Sequence, residues 1–179
     1  GIKQDPVDRT RRARLTLFQE KIAGLNFLDP ACGSGNFLTE TYLSLRRMEN
    51  EVIRLLLDLR TGSTKAQRER ITKGQIAMGV EETNPIRVSI GQFYGIEIND
   101  FAATVAKTAL WIAESQMMKQ TEDIVHMNLD FLPLKSYVNI VEGNALRIDW
   151  ETVVPKAELN YIMGNPPFVG APDERCAEG

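Results

Sequence analysis

Cysteine and histidine are scarce in this 179-residue chain, with two of the first and one of the second. Cys32 lies inside a glycine-bearing turn and Cys176 close to the C-terminal residue, so neither a disulfide framework nor a zinc site is expected, and the chain reads as cytoplasmic. His126 has no Cys, Asp or Glu nearby at metal-ligand spacing; a surface or core role is expected and no metal is assigned. An excess of positive charge is also missing. With 21 Lys and Arg against 24 Asp and Glu the formal net charge is −3, which is not the footprint of a surface that grips duplex phosphates unaided. No apolar run is long enough to cross a bilayer, and the N-terminal segment offers Asp5, Asp8, Arg9, Arg11, Arg12 and Arg14 but no apolar stretch of a secretory signal. What is present is a 43% hydrophobic chain, enough to bury a proper core as one soluble α/β domain.

Two segments carry the chemistry. In the first, Leu25-Asn26-Phe27-Leu28 is a short apolar run ending in Asp29, glycines follow at 33 and 35, and a helical pattern begins near Asn36. A strand, a glycine turn and a helix N-terminus form a nucleotide-cofactor cradle. The dinucleotide fingerprint is not met, because its third glycine position falls on Leu38 and an acidic residue ends the strand. That pattern favours a cofactor without pyrophosphate. S-adenosylmethionine fits, since it carries a sulfonium and an ammonium and no phosphate. Asp29 then has two readings, as the carboxylate facing that cation or as a cap on its own turn.

The second segment is Asn165-Pro166-Pro167-Phe168. The lone pair of an aromatic amino nitrogen is delocalised into its ring, so a catalyst must hold both N–H hydrogens where they favour a pyramidal nitrogen. The Asn165 side-chain oxygen and the Pro166 carbonyl can supply the two acceptors, consecutive prolines fix φ, and Phe168 can stack on a base.

Asp29-Pro30-Ala31-Cys32-Gly33-Ser34-Gly35-Asn36-Phe37 together with Asn165-Pro166-Pro167-Phe168 resembles the adenine-N6 DNA methyltransferases in which the cofactor motif precedes the catalytic motif and a target-recognition domain follows. The text of Leu38 to Arg47 and of Gly164 to Gly170 is most similar to the methyltransferase part of single-chain type II restriction–modification enzymes. The resemblance spans roughly Leu25 to Gly170. It implies a Rossmann-like fold with an open, mostly parallel sheet in the order 3-2-1-4, a catalytic set of Asn165, Pro166, Pro167 and Phe168, and S-adenosylmethionine held by Asp29, Pro30, Ala31, Gly33, Gly35, Phe37, Glu97, Ile98, Asn144 and Ala145. By position, Glu97 would pair with both ribose hydroxyls and Ile98 would pack on adenine. Asn144, where Asp is commoner, would bond the adenine amino group. Phe37 either lines the methionine pocket or anchors its helix to the sheet.

Glutamine-N5 methyltransferases share Asn-Pro-Pro-aromatic loops, so a protein substrate is the alternative to DNA; cytosine-N4 enzymes more often begin the loop with Ser. A third reading is a non-catalytic cofactor-binding module. The resemblance further implies that the grip on DNA belongs to a recognition domain beyond this chain. An interrupted sheet would leave the edge at Tyr161-Ile162-Met163 available for self-association.

The organisation expected along the chain is a basic helical segment over 1–24, a cofactor-binding and catalytic core over 25–170 with an insertion at 63–90, and a tail over 171–179 without a motif. In the first segment Leu15, Leu17, Phe18 and Ile22 form one helical face, which reads as packing rather than phosphate contact. A long helix follows the glycine turn, with Leu38, Tyr42, Leu45, Val52, Leu55, Leu56 and Leu59 at spacings of three and four, ending at Gly62. Tyr94-Gly95-Ile96 leads a second strand into Glu97, and Asn99 or Asp100 caps a helix with a stripe of Phe101, Val105, Ala109 and Ile112 that ends near Met117 and Met118. Further strands are expected near Tyr137 to Val141 and Asn160 to Met163. Trp111 and Trp150 read as packing residues.

Overall fold

The computed structural model describes residues 6–61, 84–126, 129 and 139–166. Helix α1 spans Pro6–Ala23, strand β1 Phe27–Asp29, helix α2 Asn36–Thr61, strand β2 Phe93–Glu97, helix α3 Asp100–Val125, strand β3 Asn139–Glu142 and strand β4 Tyr161–Ile162. All four strands are parallel and lie in the order β3-β2-β1-β4, the order expected of the Rossmann-like α/β fold. None of the described helices is long and apolar enough to cross a membrane. Most of the 63–90 insertion, the start of the third expected strand, Gly62, Pro167, Phe168 and the 171–179 tail lie outside the described residues.

β1 is buried along its whole length because both its faces are covered. On one face Phe27 and Phe93 pack against Leu38, Tyr42 and Leu45 of α2 and Ala106 and Leu110 of α3. On the other, Leu28 and Ile96 meet Val154, with Tyr94, Ala145, Ile148, Trp150 and Leu159 around them. The alternation of Phe27 and Leu28 between the two clusters is the period-2 signature of a strand. Parallel rings continue across the sheet, with Phe27 stacked on Phe93 at 5.3 Å between centroids and on Tyr161 at 5.2 Å. These rings occupy paired positions, Phe27 opposite both Phe93 and Tyr161, so the stack helps define the register of the two-residue β4.

Two expected helix faces are corrected. In α1 the inward residues are Gln19 and Ile22, while Leu17 and Phe18 are exposed. In α3 the buried line is Ala103, Ala106, Leu110, Ala113, Met117, Thr121 and Val125, and Phe101 and Ile112 point to solvent. At the start of α3 the reason is close approach: a Cβ on Gly35 would stand 2.9 Å from Cβ of Ala106, so this part of the interface takes a small side chain. Met117 lies in the core within a helix that runs on to Val125, capped at its start by Asn99, whose Oδ1 accepts from the Ala102 amide at 2.9 Å. His126 ends that helix in the left-handed region, φ 53°, and is exposed.

A buried polar network that the sequence does not announce joins the helices. Glu49 pairs with Arg46 and also accepts from Gln19 Nε2 at 2.9 Å and from the amides of Arg87 at 2.7 Å and Val88 at 3.1 Å. Arg46 donates to Thr121 at 2.8 Å, which donates to Asn50 at 2.7 Å. Charged residues on an inward helix face read as solvated in a sequence; here α1, α2 and α3 each contribute a partner.

Candidate cofactor and catalytic site

The carboxyl ends of β1, β2, β3 and β4 gather the expected site residues at one edge of the sheet. The turn after β1 is tied down by its own backbone: the Cys32 amide donates to Ile96 at 3.1 Å, and the Gly35 amide to Cys32 at 2.8 Å. Gly35 has φ 79°, a conformation side chains seldom adopt, and together with the Ala106 contact this makes glycine necessary there. Glu97, at the end of β2, reaches across to this turn. One of its carboxylate oxygens accepts from the Gly33 amide at 2.7 Å and the other from the Asn99 amide at 2.9 Å. The acid assigned to a ribose therefore also clamps the glycine turn to the second strand. Each oxygen keeps capacity for a further hydrogen bond.

Asp29 is 1% exposed. Its Oδ1 accepts from the Ala31 amide at 3.0 Å, the turn-capping contact, while Oδ2 is buried with no hydrogen-bond partner among the described residues. Burial raises its carboxyl above the usual range; the Ala31 hydrogen bond opposes this and the charge of Glu97 adds to it. Both sequence readings of Asp29 are thus compatible, since one oxygen caps the turn and the other is left over. Pro30, Ala31 and Gly33 are partly buried beside it. Cys32, buried under the turn, has its thiol pushed up to about 12, first by burial and then by Asp29 and Glu97, so it is a neutral packing group and not a nucleophile. Phe37 is half exposed at the start of α2, outside the buried core, and Ile98 is exposed next to Glu97.

Beyond β3 the Gly143 amide donates to the Glu97 carbonyl at 2.8 Å, bringing Asn144 alongside. The Asn144 side-chain oxygen accepts from the Leu146 amide at 2.9 Å, so it is already fixed in a turn, and the Ala145 carbonyl accepts from Trp150 Nε1 at 2.8 Å. Trp150 is a packing residue that holds this turn.

The acceptor segment is attached at the opposite side of β1. Asn26 and Asn160 form a reciprocal clasp below it: Asn26 N donates to Asn160 Oδ1 at 2.7 Å, and the amides of Asn160 and Tyr161 donate to the Asn26 carbonyl at 3.1 Å. Above it the Met163 amide donates to Leu28 at 2.9 Å. The chain then passes directly over Asp29, where a Cβ on Gly164 would lie 2.4 Å from Asp29 Oδ1. Asn165 and Pro166 emerge exposed immediately afterwards; Pro167 and Phe168 lie outside the described residues. Asp29 of the donor motif is therefore in contact with Gly164, the residue that leads into the acceptor motif. Sequence reasoning missed the Asn26–Asn160 clasp and the role of Gly164. The only signal for the latter was a glycine standing next to Asn165.

Among the described residues no group of three or more His, Cys, Asp or Glu could hold a metal ion.

Comparison with known proteins agrees with this geometry. The chain is 42% identical over 154 residues to DNA methyltransferase A of Bacillus subtilis (strain 168), covering 84% of this chain and 15% of that protein. It is 28% identical over 164 residues to a putative type II restriction enzyme and methyltransferase of Methanocaldococcus jannaschii, covering 92% of this chain and 10% of the relative. Among solved structures, the type IIL restriction-modification enzyme MmeI in complex with DNA superposes with a TM-score of 0.72 at 40% identity, over 89% of this chain and 19% of that one. The chain therefore spans about a sixth or less of the length of these curated relatives. Residues 6–177 match the family described as MmeI, DNA-methyltransferase domain, and with the parallel 3-2-1-4 sheet and the joined Asp29 and Asn165 segments the chain belongs to that family.

Proposed function

We propose that this chain is the cofactor-binding and catalytic part of a restriction–modification DNA methyltransferase that uses S-adenosylmethionine to methylate adenine at N6, in the cytoplasm. The observation that carries the reading is the contact between Asp29, a buried carboxylate with an unpartnered oxygen, and Gly164, the residue before Asn165. The cradle fits a cation. Asp29 and Glu97 face it from the first two strands, and phosphates would be repelled where an ammonium and a sulfonium would be attracted. When bound, S-adenosylmethionine supplies an activated methyl group on a positively charged sulfur. The protein's part is positioning: Asp29 orients the amino-acid end, Glu97 the ribose, and Asn144 with Ile98 the adenine. The Asn165 side-chain oxygen and the Pro166 carbonyl would accept hydrogen bonds from the two N6–H groups of the target base and turn its lone pair toward the donor. The exposure of Asn165 and Pro166 suits a base that has left the duplex.

The test is methyl transfer from labelled S-adenosylmethionine by the enzyme that contains this chain, with nucleosides and peptides both analysed by mass spectrometry. N6-methyladenine is expected; methylation of glutamine in a protein, or of cytosine at N4, would replace this reading. DNA is the proposed partner through parts of the polypeptide outside this chain. β4, an edge of the described sheet with Tyr161 and Ile162 exposed, is proposed to pair with a second copy when the chain is studied alone, and sedimentation at several concentrations checks it.

A further inference from the structure

We infer that Gly164 is a positioning residue that ties the placement of Asn165 to the Asp29 carboxylate, so that the group holding the methyl donor also sets the group holding the acceptor. The orientation of the methyl donor on Asp29 rests on the function proposed above; the mechanical link does not.

The geometry is specific. A Cβ placed on residue 164 would stand 2.4 Å from Asp29 Oδ1, 3.0 Å from Cγ and 3.4 Å from Oδ2, so the carboxylate, led by Oδ1, occupies the space a side chain at 164 would need. Contacts under 3.0 Å cannot persist without movement, and a flexible end could usually move aside. Here it cannot do so freely, because Oδ1 is held by the Ala31 amide at 3.0 Å and the group is 1% exposed. On the loop side the Met163 amide is fastened to Leu28 at 2.9 Å, one residue before Gly164, and Asn165 follows one residue after it. Any shift of the carboxylate therefore reaches Asn165 through a single peptide unit. A cation drawn to Oδ2 acts on a group that is already part of the wall behind the acceptor loop. Single-residue contacts of this kind are how closely packed sites transmit sub-ångström displacement.

The experiment is a two-by-two set of variants of this chain, Gly164→Ala and Asp29→Ala alone and together, with Asp29→Asn as the volume-conserving control. Without ligand, Gly164→Ala should lower Tm by about 3–10 °C, the usual scale of overpacking in a domain of this size. Part of that loss belongs to the backbone, because residue 164 has φ 156°, which side chains rarely adopt, and stays in every background; the rest should vanish when Asp29→Ala removes the carboxylate and persist with Asp29→Asn, which keeps its volume. A general effect of the extra methyl group would move Tm equally in all three backgrounds and would overturn the inference. So would a Gly164→Ala chain with wild-type Tm. In NMR spectra of the ligand-free chain, Asp29→Ala should displace the Asn165 backbone and side-chain amide resonances; unmoved resonances overturn the link even if the Gly164 variants do not fold. Titration with S-adenosylmethionine should then show an affinity reduced about tenfold or more by Gly164→Ala, equivalent to about 1.4 kcal/mol. Absence of binding by the wild type refutes the cofactor assignment while the Tm cycle and the Asn165 resonances still decide the link. Wild-type binding with undiminished affinity in Gly164→Ala overturns the link and leaves the cofactor assignment standing.

Discussion

Glu49 and Asp29 are both buried carboxylates, 0% and 1% exposed, but they stand in opposite kinds of surroundings. Glu49 is saturated: Arg46, Gln19 and the amides of Arg87 and Val88 all donate to it, and these partners come from α1, α2 and the segment leading to β2. Among the described residues Asp29 has one donor, no cation among its contacts, and one oxygen without a partner. A saturated buried acid fixes architecture, whereas an unsaturated one at the carboxyl end of the central strand retains interaction capacity for something outside the protein. The same residue chemistry thus separates the scaffold behind the sheet from the site at its edge.

The strongest way to break this comparison is to remove Glu49. Glu49→Ala leaves Arg46 inside the protein without its paired carboxylate, with the neutral Thr121 and Tyr42 hydroxyls as remaining partners, and breaking a buried pair in this way costs about 3–5 kcal/mol. Against a typical total of roughly 5–15 kcal/mol, that is enough to unfold a large fraction of the chain on mild denaturation. Urea titration should show the lower midpoint, and whatever protein remains folded should bind cofactor with wild-type affinity. A folded, stable Glu49→Ala chain with weakened binding would move Glu49 into the site and erase the distinction.

Next in size is Asn165→Ala in the enzyme that contains this chain. Loss of one hydrogen-bonding group aligned with a transition state lowers rate by about 10²–10³-fold. Because Asn165 lies on the acceptor side, cofactor affinity should stay close to wild type, and a quench-flow measurement of methyl transfer at saturating cofactor separates the two. An unchanged rate removes Asn165 from the reaction.

Glu97 lies between the two cases, since it is both structural clamp and proposed ligand. Glu97→Ala should weaken cofactor binding by about 1.5–3 kcal/mol, the scale for hydrogen bonds to a charged group. Glu97→Gln sharpens the point. A glutamine can accept at only one end, and its amide group would face either the Gly33 or the Asn99 N–H, so its loss should approach that of Ala rather than of the wild type. If Gln binds as well as Glu by calorimetry, the clamp contributes nothing to the cradle.

How much of this was legible in the sequence follows the range of each interaction. Asp29, the glycine turn and the start of α2 at Asn36 were readable because strand, turn and cap chemistry are local. Asn99 was readable as a cap for the same reason. Asn165 stood out through its prolines. The buried face of α3 was misread because apolar periodicity favours large residues, while at Ala106 the approach of Gly35 leaves room only for a small one. Arg46 and Glu49 gave no sign of burial because the other donors that satisfy Glu49 lie on other elements, far off in sequence. The Gly164 contact with Asp29 likewise joins two motifs that only the sheet order brings side by side.

The smallest expected effect is a pH dependence of stability that comes from Asp29. The folded-state pKa of Asp29 is raised above its ordinary value of 3.8, chiefly by burial, with the nearby charge of Glu97 adding to it and the Ala31 hydrogen bond opposing it. A raised carboxyl favours folding while it is protonated in the native state. That stability is fully present below the unfolded-state value and is lost as pH rises through the folded one, because in that window the native state binds more protons than the unfolded state. Asp29→Asn abolishes the titration but keeps an oxygen for the Ala31 amide. The stability of the wild type relative to Asp29→Asn should therefore fall as pH is raised from below 3.8 into the raised range, then level off. Urea denaturation of both chains across that interval provides the measurement. A relative gain for the wild type with rising pH would mean that Asp29 is stabilised as a carboxylate and that the ligand-free site already holds a partner for it. Should the expected fall appear, saturating S-adenosylmethionine supplies the complementary check: a cation at Oδ2 stabilises the ionised form, so the gap between the two chains should narrow or reverse above the transition.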